Sequence, residues 1–109
     1  MLTDSIKNEI ISGLVSILSD KIEMIILYGS TARGTAGSDS DVDLAIVISD
    51  QLKDEEKERF LCWNAELDLR YDRVFSIVDI EKELLDKWGN IVPFYVNLKK
   101  EGVVLWKAA

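Results

Sequence analysis

Two short apolar runs, 24–28 and 42–48, constrain the chain more than any other feature. The first is stopped by Gly29 and Ser30; the second is interrupted only by Asp43 and stopped by Ser49 and Asp50. Runs of this length bounded by turn residues read as buried strands. Between Leu52 and Arg70 the pattern changes to helical: Phe60, Trp63 and Leu67 mark an inward stripe, and Glu55 stands four residues before Arg59 on a charged face. Residues 74–78 then read as a third strand. A strand, a long helix and another strand in one sheet make a right-handed crossover, so the strands near 42–48 and 73–79 run parallel. If 24–28 pairs antiparallel to 42–48, its end at Gly29 arrives where the other two strands begin.

The remaining segments fit around that sheet. Ile6, Ile10, Leu14, Val15 and Leu18 recur at helical spacing behind Thr3 and Asp4, which predicts a helix over 4–19. A short helix over 81–88 is ended by Gly89, a last helix runs from Pro93 to Glu101 before Gly102, and 103–106 adds a terminal strand. At 109 residues there is room for one domain, 1–109, of the α/β (α+β) class with a mixed β-sheet flanked by helices.

Composition narrows the chemistry. Lys and Arg number 13 against 20 Asp and Glu, a net charge of −7, which disfavours direct gripping of nucleic acid through its phosphates. There is no histidine, so imidazole acid–base catalysis and Ser-His-Asp or HExxH sites are excluded. The lone Cys62 closes no internal disulfide and is expected to pack as a small apolar group. With no apolar stretch near the roughly 20 residues of a membrane span and no signal-peptide pattern at the start, the expected compartment is the cytoplasm.

Asp41 and Asp43 stand two apart where a strand begins, hence on one face, and Asp39 is placed to continue the row. Stacked carboxylates repel and resist desolvation unless a cation sits among them or solvent reaches them, and oxygen ligands favour Mg²⁺ or Mn²⁺. Gly29 and Ser30 supply the complementary half: a glycine lets backbone approach phosphate closely, and N–H groups at a following helix start attract anions. Neither the P-loop pattern nor GxGxxG is present. Each half alone is more often an ordinary turn or cap; at this spacing, between two apolar strands, together they favour a cation-bound nucleotide.

Gly29-Ser30, ten residues, then Asp41-Val42-Asp43, with Ala32-Arg33-Gly34 and Ser40 through Leu44 filling the pattern, resembles the DNA polymerase β-type nucleotidyltransferase superfamily. The length is similar to its minimal nucleotidyltransferase (MNT) members. The resemblance implies Asp41 and Asp43 as catalytic metal ligands and Gly29, Ser30, Arg33 and Ser40 as nucleotide contacts. For Arg33 the competing reading is a solvated turn residue. Such proteins usually carry a third carboxylate on a neighbouring strand. Asp72, Asp68 and Asp79 are the candidates in that order, because Asp72 precedes the third strand and Asp79 has the opposite parity. Asp72 is thus expected as a third catalytic and metal-binding residue.

Minimal members are often encoded beside a helical HEPN ribonuclease toxin. The resemblance therefore implies an antitoxin that binds that partner and transfers AMP from ATP to a tyrosine hydroxyl, with Mg²⁺ or Mn²⁺. Two other readings stay open: a binding module that blocks its partner sterically, and nucleotidylation of a small hydroxylated molecule such as an aminoglycoside. Homo-oligomerisation is left open as well.

Overall fold

The structure is a computed structural model that describes residues 2–29, 32 and 41–109. Helix α1 (Asp4–Leu18) starts at Thr3, whose Oγ1 accepts the Ile6 N–H at 3.2 Å, satisfying one of the otherwise unpaired first-turn donors. Its buried residues, Ile6, Ile10, Leu14 and Leu18, form a single stripe. A short 3₁₀ turn, Ser19–Lys21, leads into β1 (Ile22–Tyr28). Strand β2 (Val42–Ile48), helix α2 (Asp54–Tyr71), strand β3 (Phe75–Glu81), helix α3 (Lys82–Trp88), helix α4 (Pro93–Glu101) and strand β4 (Val103–Lys107) follow.

The four strands form one sheet in the order β3-β2-β1-β4. Strand β1 is antiparallel to both of its neighbours, and β2 runs parallel to β3 across the α2 crossover. The mixed sheet and the convergence of strand ends follow the sequence reading. Strand alternation divides the core in two. On one face Ile25, Leu27, Leu44, Ile46 and Ile48 meet Ile10, Leu14 and Leu18 of α1 and Phe60 and Leu67 of α2. On the other, Ile26, Ala45, Val47 and Ile80 meet Leu85 of α3 and Leu98 of α4. Central strand β2 is therefore buried on both sides, and Asp43 is the one residue in it that is not fully buried.

Three details depart from expectation. β1 begins at Ile22, because a register irregularity between Ile22 and Met24 lets buried Ile22 pair with Ile48 past the polar Glu23. β3 runs on to Glu81, because Ile80 and Glu81 pair with Val47 and Ile48 of the central strand. Cys62 is exposed rather than packed, since Phe60 and Leu67 face the core and a residue two beyond Phe60 lies on the far side of the helix. Among the described residues no helix is long and apolar enough to cross a membrane.

Candidate active site

The strand register builds one row of side chains across the sheet. Tyr28 is paired with Asp43, and Asp43 with Ser76, so residues of β1, β2 and β3 stand abreast on the α3/α4 face. The chain leaves β1 at Gly29 with φ +75°, a left-handed conformation that glycine adopts without cost. A Cβ added there would lie 2.5 Å from Oδ2 of Asp43. The Gly29 backbone thus lies directly on the Asp43 carboxylate, which places the turn after β1 and the acidic face of β2 at one point. Exposed Asp41 comes two residues before Asp43, immediately ahead of the Val42 N–H that donates to the Val74 carbonyl at 2.9 Å. That parity keeps Asp41 and Asp43 on the same side of the extended chain.

The expected third carboxylate is not brought to this point. Asp72 caps the C-terminus of α2 in the left-handed region (φ 49°, ψ 46°), is exposed, and its N–H donates to the Asp68 carbonyl. Asp68 is half-buried and bound into the framework of the fold, where its Oδ1 accepts the Phe75 N–H at 2.8 Å and the Asn64 amide at 3.3 Å, tying α2 to the start of β3. Asp79 pairs with Ile46, three residues along the strand from the Asp43 level and of opposite parity. Among the described residues, no three acidic, histidine or cysteine side chains are grouped to hold a metal ion. Ser30, Arg33, Asp39 and Ser40, all named from the sequence, lie outside the described residues.

Tyr28 is a neighbour that the sequence reading treated only as a strand end. Partial burial first, and then the Asp43 carboxylate beside it, push its phenol above the usual tyrosine range. Its ring meets Phe94 edge-on, with centroids 5.5 Å apart and planes at 81°. The aromatic pair walls the row on the β1 side. Its place beside Asp43 is set by the β1–β2 register, which belongs to the packed sheet and not to the local sequence.

A mixed sheet with paired aspartates at the head of its central strand, packed under a glycine turn, defines the core of a nucleotidyl-transferring enzyme. Residues 9–106 match the family model described as "Polymerase beta, Nucleotidyltransferase". The chain belongs to that family and is a nucleotidyltransferase. It is 33% identical to the "Putative protein adenylyltransferase MJ0604" of Methanocaldococcus jannaschii, over 90% of this chain and 92% of that protein. It is also 33% identical to the "Putative protein adenylyltransferase MJ0141" of the same organism, over 63% of this chain and 70% of that protein. Among solved structures, a toxin-antitoxin with AMP-PNP is similar at TM-score 0.64 and 23% identity, covering 94% of this chain and 73% of that one. A tri-AMPylated HEPN toxin in complex with MNT antitoxin from Shewanella oneidensis is similar at TM-score 0.59 and 20% identity, covering 94% and 70%. These two likenesses concern the fold.

Proposed function

We propose that the chain is a cytoplasmic MNT-type antitoxin that transfers AMP from ATP to a tyrosine hydroxyl of a helical HEPN toxin. The observation that carries the reading is the contact between Gly29 and Asp43: a gap only a glycine backbone can share with a carboxylate at the end of three converging strands. The adenylyltransferase names of the two relatives and the AMPylated toxin in a similar complex support the reaction and the partner.

The donor set suits the cation such a reaction calls for. Asp41 and Asp43 offer carboxylate oxygens only, the hard ligands that Mg²⁺ or Mn²⁺ prefers, and Mg²⁺ is commonly held by one or two carboxylates plus substrate phosphates. When bound there, the cation supplies positive charge against the triphosphate. Gly29 lets the backbone turn close against the Asp43 carboxylate, and Ser30 follows it in the chain as a hydroxyl donor to the phosphates. Tyr28 stands beside Asp43, and Phe94 packs edge-on against the Tyr28 ring. The acceptor oxygen then forms a bond to the α-phosphorus, the bond to the β-phosphate oxygen breaks, pyrophosphate leaves, and the acceptor's proton passes to solvent or a nearby base.

The test incubates the purified chain with Mg²⁺, α-labelled ATP and the neighbouring helical protein, alongside Asp41→Asn and Asp43→Asn. Label on the partner with wild type, and its loss in both variants, supports the proposal. An unlabelled partner that wild type and both variants inhibit equally would establish a steric binding module instead. Label on a small hydroxylated compound alone would redirect the reaction to that acceptor.

A further inference from the structure

Ser76 is the residue that the parallel register sets beside Asp43 on β3, on the same face of the sheet. Neighbouring strands lie about 4.8 Å apart, so a carboxylate at this position would reach a cation held by Asp43. A serine there is shorter by one bond, carries no charge and offers a single oxygen. The three other acidic candidates are each committed elsewhere: Asp68 to the Phe75 N–H and Asn64, Asp72 to the exposed end of α2, and Asp79 to the opposite face further along β3.

We infer that this is a two-carboxylate centre, in which Ser76 occupies the place of a third ligand, and that the chain alone holds divalent cation weakly. Two consequences follow from charge. Two carboxylates repel each other less than three would, so less is gained by placing a cation between them when no substrate is bound. The remaining coordination positions fall to water and to the substrate phosphates, so a cation would be held more tightly once nucleotide is bound. This second consequence rests on the proposed nucleotide reading; the first does not. Ser76 is then a determinant of metal stoichiometry, with one cation per bound nucleotide.

Binding of Mn²⁺ to the full chain, followed by electron paramagnetic resonance, tests this without any turnover. In the absence of nucleotide, Ser76→Asp is expected to tighten Mn²⁺ binding about tenfold or more, while Ser76→Ala stays within about twofold of wild type. With a non-hydrolysable ATP analogue, wild type is expected to hold one Mn²⁺ per chain. The inference is overturned if Ser76→Asp folds, by circular dichroism, yet binds Mn²⁺ no better than wild type. It is equally overturned if wild type holds two Mn²⁺ per analogue, or if Ser76→Ala or Asp39→Asn weakens Mn²⁺ binding as much as Asp43→Asn does. Should Ser76→Asp fail to fold, the wild-type stoichiometry and the Ser76→Ala and Asp39→Asn titrations decide the matter. A chain that shows the expected Mn²⁺ behaviour but binds no analogue would sink the proposed function and leave the two-carboxylate assignment standing.

Discussion

Gly29 packs against Asp43: with the backbone at φ +75°, a Cβ on the first would stand 2.5 Å from Oδ2 of the second. Fourteen residues separate the two in the chain, and the Tyr28–Asp43 pairing brings them into contact. Gly29→Ala is therefore expected to lose on two counts. The left-handed backbone costs about 1–2 kcal/mol for a residue with a Cβ, and the added methyl must displace the carboxylate. Urea unfolding should show the loss of stability, and nucleotide titration should show weaker binding than that loss alone explains. Unchanged binding would mean the contact has no part in the site.

Asp41→Asn and Asp43→Asn remove charge but keep shape. Transfer of AMP should fall by about 10²-fold or more in each, while the fold is retained because the substitutions keep the side chain's shape. Measured kcat and thermal melts on the same preparations check both halves of the expectation.

Away from the site, Lys21 Nζ lies 2.6 Å from Glu56 Oε1, which also accepts the Lys53 N–H at 2.8 Å at the start of α2. These bonds, the Lys21 one foremost, hold the Glu56 carboxyl below its ordinary value. A carboxyl with a lowered folded-state pKa binds fewer protons folded than unfolded. Its contribution is present at neutral pH and is lost as pH falls through the folded-state value. Glu56→Gln should melt below wild type at pH 7, and the difference should close as the pH is lowered through the folded-state value. A gap that persists at acid pH would assign the effect to packing rather than to charge.

Gly13 on α1 faces the Trp63 indole of α2, and an added Cβ would overlap the ring. Trp63 also stacks on Phe60, with centroids 6.4 Å apart, so it has little room to retreat. Gly13→Ala should destabilise the chain by about 1–3 kcal/mol despite alanine's better helix propensity. Equilibrium unfolding measures the sign, and tryptophan emission reports whether the indole moved.

Much of this architecture was legible because local and tertiary preferences agree. Strand β2 carries an apolar run that is buried on both faces, and α4 is punctuated by Pro93 at its first turn and Gly102 after its last. Boundaries blurred where pairing overrode composition. β3 is an edge strand whose exposed Val78 and Asp79 look like a strand ending, yet the ladder to β2 carries it to Glu81. The paired aspartates were readable from their two-residue spacing. Ser76 was not, because a one-residue slip in the β2–β3 register would set a different residue beside Asp43, and register is a property of the packed sheet. Tyr28 was hidden for the same reason.

The central claim is that the Gly29 turn and the Asp41–Asp43 pair together receive a nucleotide with its cation. A crystal structure of the chain with Mn²⁺ and a non-hydrolysable ATP analogue tests it most directly, since Mn²⁺ gives an anomalous signal. The account predicts a peak within coordination distance of both carboxylates, with the triphosphate against the Gly29 backbone. Nucleotide bound elsewhere on the sheet, or a peak that touches neither aspartate, would contradict it.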